Sequence, residues 1–169
     1  MSSLTELLAR YRVRLGFIAA AAAFGLARPT PRSFLIGCAV TVLGEALRVW
    51  AAGHLEKGRE VTASGPYRLT RHPLYVGSSI IGLGFAIASG RPIVFVLVVL
   101  YLALTIGAAI RREESHLTEK FGSAYPAYRE GRAPDDVRRF TLERVRRNRE
   151  YRAVLGLVAA LALLAWKVL

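Results

Sequence analysis

The sequence predicts an all-α integral membrane protein with about five transmembrane helices. Three observations support this fold class. Hydrophobic residues make up 53 % of the 169 residues, and the mean hydropathy is +0.34. Apolar stretches recur at lengths close to the roughly 20 residues that cross a bilayer. The basic residues are divided unevenly between the two ends of these stretches. A water-soluble bundle is the alternative, but little polar sequence remains to cover such a core.

Five apolar stretches are the predicted spans, and residues 1–169 are predicted to form a single membrane domain. The fourth stretch, Pro92 to Ile110, is the clearest, whereas the first and third are short for a span. The first follows Arg10, Arg12 and Arg14 and superficially resembles a signal peptide. Because further spans follow it, we interpret it as a retained anchor. The predicted spans lie near residues 11–28, 33–52, 74–89, 92–110 and 153–169.

The segments between the spans are predicted from their turn residues and periodicity. Residues 1–12 carry leucines at helical spacing and are expected to form a short amphipathic helix on the membrane surface. Residues 89–91 form a tight turn, so the third and fourth spans make an antiparallel hairpin. That hairpin brings the polar loop 53–73 next to the polar segment 111–135. We therefore expect any joint site at that end.

The placement of charge predicts the orientation. Of the 24 Lys and Arg residues, all but Arg28, Arg32, Arg91 and Lys167 fall on or near one side of the threaded chain. The positive-inside rule then places the N-terminus and the expected site in the cytoplasm and the C-terminus on the opposite side. The net charge of +12 predicts attraction to anionic lipid headgroups. Without a recognisable nucleic-acid-binding module, no nucleic-acid partner is predicted, and the oligomeric state stays open.

The densest group of chemically capable side chains is the run GPYRLTRHPLYVG at residues 65–77. Pro73 is expected in the first turn of the third span, where proline is favoured. The free backbone N–H groups of that helix start could meet an anion, and Arg71 and His72 are donors beside it. The alternative is a basic juxtamembrane anchor with interfacial tyrosines.

Two further groups of ionisable residues lie near the predicted membrane boundary. Arg111 and Glu114 are three residues apart on a helical continuation of the fourth span, so they share a face. Glu45 and Arg48 have the same spacing in the second span. Each group is interpreted either as a structural ion pair or as the lining of a polar site, because ionisable groups near the membrane tend to be functional. The three histidines are too scattered to predict a metal site.

These runs together resemble the isoprenylcysteine carboxyl methyltransferase and phospholipid methyltransferase superfamily. The resemblance rests on GPYRLTRHPLYVG, on the apolar hairpin that follows it, and on RREESHLTEKFGSAYPAYR at residues 111–129. The segment LRVWA at residues 47–51 also fits the pattern. The match covers about residues 45–130. Departures begin at Arg132-Ala133-Pro134, and the apolar segment 153–169 is additional.

The resemblance implies S-adenosylmethionine as methyl donor, bound in a cytoplasmic pocket, and a lipophilic acceptor that enters from the bilayer. It implies that Arg111 and Glu114 are catalytic and that Glu45, Arg48 and Trp50 lie on the acceptor side. It also implies a set of cofactor-binding residues, of which the two tyrosines after residue 120 belong to a lid. The cofactor-binding set is Arg71, His72, Pro73, Leu74, Tyr75, Gly77, Glu113, Glu114, Tyr125 and Tyr128.

The identity of the acceptor stays open at this stage. A carboxylate acceptor, such as an isoprenylcysteine, needs no base, whereas a phospholipid amine must lose a proton, to Glu114 or His116. Two other classes of function are weighed beside methyl transfer. One is an NADPH-dependent membrane reductase on a related scaffold. The other is a non-catalytic protein that binds lipid or a partner through the Arg-rich residues 138–152.

Overall fold

The computed structural model describes residues 3–132 and 138–169, and all regular structure in these ranges is helical. The expected all-α class is therefore confirmed for this part of the chain. Residues 133–135, the end of the predicted site segment, lie outside the described residues. The elements are α1 (Ser3–Leu26), α2 (Pro31–His54), a 3-10 turn (Gly65–Arg68), α3 (Pro73–Ala88), α4 (Pro92–Phe121), α5 (Ala124–Arg129), α6 (Leu142–Arg147) and α7 (Tyr151–Trp166).

Prolines mark the starts of α2, α3 and α4. Pro31, Pro73 and Pro92 each occupy the first helical position, where the missing N–H is no loss and the fixed φ suits the helix. Thr30 caps α2 through a reciprocal pair of hydrogen bonds with Ser33, which satisfies two N–H groups at that helix start. The expected position of Pro73 is confirmed.

Helices α2 and α3 pack closely because glycines line their contact. A Cβ added at Gly37 would lie 2.4 Å from the backbone oxygen of Gly84, and one at Gly44 would lie 2.8 Å from that of Gly77. Small residues of this kind let membrane helices approach closely. The pair α2–α3 thus forms the most intimate contact of the fold and fixes the position of the α3 start.

The α3–α4 hairpin closes through a short turn, as expected. Gly90 has φ +65°, a left-handed conformation that glycine adopts readily, and Arg28 N donates to Ser89 O at 2.8 Å. At the same end, Lys167 Nζ donates to Phe24 O at 2.7 Å, and Leu164 of α7 packs with Ala27 and Ala88. This end of the bundle lies opposite the predicted site.

Within the described ranges, two helices, α2 and α4, are long and apolar enough to cross a membrane. Only 28 % of the most apolar window of α2 and 22 % of that of α4 are buried, whereas the core helix of a soluble protein is mostly buried. Their outer faces expose large apolar side chains such as Leu35, Leu43 and Leu104. The apolar helices Arg14–Leu26, Pro73–Ala88 and Tyr151–Trp166 are shorter. Five spans and their orientation remain a prediction.

The N-terminal region differs from the expectation. Residues 1–12 were expected to form a separate amphipathic helix, but α1 is continuous from Ser3 to Leu26. No Pro or Gly interrupts residues 3–15, so nothing in the sequence breaks the helix between the two predicted segments. The periodicity of residues 1–12 thus belongs to the N-terminal part of α1 and not to a separate helix.

Candidate functional site

A cavity of about 270 Å³ opens at the end of the bundle where α2 ends, α3 begins and α4 extends beyond its apolar part. Its walls come from the loop 55–62, the start of α3, the extension of α4 and helix α5. The hairpin therefore brings together the two polar segments that the sequence predicted to meet. The lining residues are Arg48, Leu55, Lys57, Gly58, Glu60, Val61, Thr62, Tyr67, Arg71, His72, Pro73, Leu74, Tyr75, Ser78, Glu113, Leu117, Tyr125 and Tyr128.

The carboxylate of Glu114 joins the two predicted motifs. Its Oε1 accepts a hydrogen bond from His72 Nε2 at 3.1 Å and lies 3.3 Å from Arg71 Nη1. Glu114 stands four residues beyond Ile110, where the uncharged part of α4 ends. Partial burial raises its pKa, but the hydrogen bond from His72 and the charge of Arg71 outweigh this effect and place the pKa below its usual range. Glu114 is therefore ionised at neutral pH and holds the side chains of Arg71 and His72 in place.

Three tyrosines form a wall of the cavity. Tyr128 Oη donates to the backbone oxygen of Tyr67 at 2.6 Å, and the rings of Tyr125 and Tyr128 lie 6.1 Å apart. Burial raises the pKa of Tyr128 to about 12 despite the charge of Arg71. Burial also raises the pKa of Tyr67 and Tyr125, helped by Glu113 and Glu114 respectively. All three hydroxyls stay protonated and can donate hydrogen bonds.

The hydroxyl of Tyr125 lies next to the carboxylate of Glu114. Its hydrogen bond to that carboxylate helps to raise the pKa of Tyr125 and to lower the pKa of Glu114. Tyr125 also lines the polar cavity, so its ring lies between Glu114 and the space available to a bound molecule.

Arg48 links three helices at the inner end of the cavity. Its Nη1 donates to Ser78 Oγ at 2.5 Å, and its Nη2 lies 2.5 Å from Glu150 Oε1. The predicted pair with Glu45 is present but longer, at 3.6 Å. Only 19 % of the Arg48 side chain is exposed, so these charges compensate one another away from bulk water. Glu150, just before α7, was missed because its contact with Arg48 spans most of the chain.

Residues 138–150, which we call the C-terminal strap, lie against the end of α2 and the following loop. Glu56 Oε1 accepts a hydrogen bond from Arg144 Nε at 2.6 Å, and Glu56 Oε2 accepts one from Arg147 Nη2 at 2.5 Å. Asn148 Nδ2 donates to the backbone oxygens of Ala52 and Leu55, both at 2.9 Å. The hydrogen bond from Arg144, followed by that from Arg147, lowers the pKa of Glu56. Part of the Arg-rich segment thus binds within the protein, beyond the membrane-surface role expected for it.

The structure distributes the predicted residues unevenly around this cavity. Gly77 packs against Arg48 and Gly44 between α2 and α3. Glu45 is buried near Arg48, outside the lining, and Trp50 is 40 % exposed with its ring edge against His54. Arg111 is exposed and does not line the cavity, while Glu114 supports the lining through Arg71 and His72. The predicted residues that line it are Arg48, Arg71, His72, Pro73, Leu74, Tyr75, Glu113, Tyr125 and Tyr128.

The loop residues of the lining were not named individually from the sequence. Leu55, Lys57, Val61 and Thr62 carry no motif, and only their position in the loop 53–73 pointed to them. Tyr67 belongs to the run 65–77, but no sequence signal marks it as a lining residue. Its place directly after Gly65-Pro66 in the 3-10 turn buries its ring under the loop.

The fold and the site together define an α-helical membrane protein that holds a polar cavity at one end of its apolar helices. The chain belongs to the phospholipid methyltransferase family, whose profile matches residues 21–124. This family lies within the isoprenylcysteine carboxyl methyltransferase-like membrane superfamily, so the resemblance seen in the sequence is confirmed. Membership implies a membrane methyltransferase.

One curated relative is the cobalt-zinc-cadmium resistance protein CzcN of Cupriavidus metallidurans. It is 32 % identical over 127 residues, which are 71 % of this chain and 57 % of the relative. The chain thus spans little more than half the length of that protein. No solved structure matches the chain at a significant level.

Proposed function

We propose that this protein transfers a methyl group from S-adenosylmethionine to a lipophilic acceptor that enters from the bilayer. The observation that carries the proposal is the junction at Glu114. There the two family motifs meet through Arg71 and His72 and form one cavity with the tyrosines of α5. The proposed acceptor is isoprenylcysteine-like or another small lipid.

The groups around the cavity match the chemistry of the donor molecule. S-adenosylmethionine carries a carboxylate, which suits Arg71 and the free backbone N–H of Leu74 in the first turn of α3. Its ribose hydroxyls and ammonium suit the carboxylate of Glu113, and its sulfonium suits a tyrosine face. The ring of Tyr125 lines the same cavity and adds a second tyrosine face. These residues fit the cofactor by type.

The size of the cavity adds a condition to the proposal. Its volume of about 270 Å³ is just below the roughly 300–1,000 Å³ typical of small-molecule sites. We therefore propose that the loop 55–62 moves outward when the cofactor enters. This loop contains Gly58 and carries several exposed residues, so its displacement exposes little additional apolar surface.

The chain's own residues would act by positioning. When bound, S-adenosylmethionine supplies an electrophilic methyl group on a sulfonium, and in-line alignment of donor and acceptor provides most of the rate. Glu114, with its depressed pKa, is a weak base at neutral pH and serves better to hold Arg71 and His72 in place. Arg111, exposed at the same end, would meet the acceptor during the reaction.

Binding of the cofactor by the intact protein in lipid nanodiscs tests this proposal directly. We expect isothermal titration to detect S-adenosylmethionine binding, and Glu114→Gln to weaken it by about ten-fold, because a charge-assisted hydrogen bond contributes about 1.5–3 kcal/mol. Glu119→Gln, an exposed position on the same helix, is the matched control and should bind like the wild type. Absence of binding by the folded wild type would contradict the proposal.

A phospholipid amine is the second candidate acceptor, and the family profile itself favours it. The two candidates differ in the product. Purified protein incubated with labelled S-adenosylmethionine and a total lipid extract should yield either an alkali-labile methyl ester or an alkali-stable N-methylated headgroup. Mass analysis of the labelled lipid distinguishes them.

The proposed topology has five spans with the site and the N-terminus in the cytoplasm. Cys38 is the single cysteine, so a Cys38→Ser background accepts reporter cysteines at Ser123 and Lys167. We expect a membrane-impermeant maleimide to label position 167 in intact cells and position 123 only after lysis. Labelling of both positions in intact cells would contradict this topology.

A further inference from the structure

A second cavity, of about 340 Å³, lies between the turn after α2 and the junction of α6 with α7. Five residues line it, and four of them are cationic. Because like charges repel, a wall of this composition is unfavourable unless an anion compensates it. The lining residues are Lys57, Arg59, Arg147, Asn148 and Arg149.

The described part of the chain supplies little negative charge to this wall. Arg147 forms an ion pair with Glu56, but Glu56 also forms one with Arg144, so one carboxylate neutralises two guanidinium groups only in part. Within residues 3–132 and 138–169, Lys57, Arg59 and Arg149 have no ion pair. Their exposed positive charges are left available to a ligand.

The frame around this basic cavity is fixed by hydrogen bonds. Asn148 donates to Ala52 O and Leu55 O, which ties the strap to the start of the turn. Arg149 has φ +60°, a left-handed conformation that is uncommon outside glycine, asparagine and aspartate. The backbone that carries Arg147 and Arg149 is therefore held in place on the protein before any ligand binds.

We propose that this basic cavity is a binding site for a phosphoryl group, separate from the site of methyl transfer. Guanidinium forks match phosphate oxygens in a bidentate manner, and lysine adds a point charge. The volume exceeds that of a single phosphate, so a phosphorylated headgroup or a pyrophosphate fits the space. This cavity is thus a specific place on the basic surface where an anionic headgroup would bind.

Lys57 connects the two cavities, because it lines both of them. An anion held at Arg59 and Arg149 would draw the Lys57 side chain toward the basic cavity and away from the other. The phosphoryl site therefore lies where its occupancy can influence the loop 55–62. Its ligand could be the phosphate of a membrane lipid or a soluble phosphate.

The test uses the full-length protein in nanodiscs and does not measure methyl transfer. In one arm, phosphatidylcholine nanodiscs are titrated with pyrophosphate, with citrate as the non-phosphate anion. In the other arm, phosphatidic acid replaces part of the phosphatidylcholine, with oleate as the non-phosphate anionic lipid. The thermal unfolding midpoint is followed throughout. Stabilisation in the first arm identifies a soluble phosphate, and stabilisation in the second identifies a lipid headgroup.

The double variant Arg59→Gln/Arg149→Gly removes two cations of the cavity. Glycine at position 149 tolerates the positive φ, so the fold should be retained. The charge-matched control is Arg129→Gln/Arg139→Gln, at two exposed positions outside the cavity. We expect the cavity variant to need at least about ten-fold more pyrophosphate or phosphatidic acid for the same stabilisation, since a charged hydrogen bond contributes at least about 1.4 kcal/mol, a factor of ten.

The proposal is overturned if both variants respond equally, if citrate and oleate stabilise as well as the phosphates, or if no phosphate stabilises the wild type. Glu114→Gln separates this site from the proposed function. It should lose affinity for S-adenosylmethionine while its response to the phosphate ligands stays at the wild-type level.

Discussion

Replacing Glu56 by glutamine should release the C-terminal strap from the loop that lines the cavity. The substitution keeps the shape of the side chain and removes the charge that holds Arg144 and Arg147. Only 15 % of the Glu56 side chain is exposed, whereas Arg147 is 37 % exposed. The Arg144 contact at 2.6 Å should therefore account for most of the effect.

The magnitude follows from these two contacts. A hydrogen bond between charged groups contributes about 1.5–3 kcal/mol, and an exposed ion pair adds up to about 1 kcal/mol. Glutamine retains one acceptor oxygen, so the net loss should be about 1.5–2 kcal/mol, which is a factor of at least ten in the opening equilibrium of the strap.

Limited trypsinolysis in nanodiscs measures this opening, because cleavage tracks the population of the open form when opening is fast. We expect cleavage after Arg144 and Arg147 to accelerate about ten-fold in Glu56→Gln. Glu143→Gln, exposed on α6, is the control and should cleave at the wild-type rate. Equal rates for Glu56→Gln and the control would refute the reasoning that Glu56 holds the strap.

The other predictions concern helix packing, the buried ion pair and pH. Gly37→Ala should destabilise the fold by about 1–3 kcal/mol, as overpacking does, whereas Gly156→Ala, with no atom within 4 Å of its added Cβ, should be neutral or stabilising in thermal unfolding. Glu150→Gln should cost about 3 kcal/mol of unfolding free energy, since Arg48 would lose its closest charged partner in a partly buried setting. Adding Arg48→Met to this variant should restore part of that loss. If it restores none, Glu150 does not stabilise the protein through Arg48. The pKa of Glu114 is lower in the folded state than the ordinary glutamate value of about 4.3, so the ionised carboxylate stabilises the folded state at pH values above about 4.3. This stabilisation is lost as the pH falls below that value and through the pKa of the folded state. Unfolding of wild type and Glu114→Gln, followed as the pH is lowered from neutrality through that value, checks this, because the difference between them should shrink steadily toward the acid end.

Local features of this fold could be predicted from the sequence. Pro73, Pro92 and Gly122 mark helix boundaries through backbone geometry that is independent of tertiary context, and all three positions agree with the structure. Gly82 and Gly84 lie two residues apart in an apolar helix, a pattern that favours close helix packing, and Gly84 meets Thr41 of α2 in the structure. The meeting of loop 53–73 with the extension of α4 followed from the hairpin alone.

The pairing of charges could not be predicted in the same way. Helical spacing paired Glu114 with Arg111, but Arg71 and His72 from another helix start are its partners in the structure. Helical spacing likewise paired Arg48 with Glu45, while Glu150 lies closer to it. Periodicity detects neighbours within one helix, whereas these partners are decided by how the helices pack.

The contact between Arg48 and Glu150 has a consequence for the order in which the protein is assembled. Arg48 emerges from the ribosome long before Glu150. If α2 packs against α3 before that point, this guanidinium has Glu45, the hydroxyl of Ser78 and the backbone oxygen of Leu74 as partners but lacks its shortest ion pair. In a nascent chain stalled before residue 150, the glycine-lined contact of α2 with α3 would be available while the charge of Arg48, which lines the cavity, would still wait for Glu150.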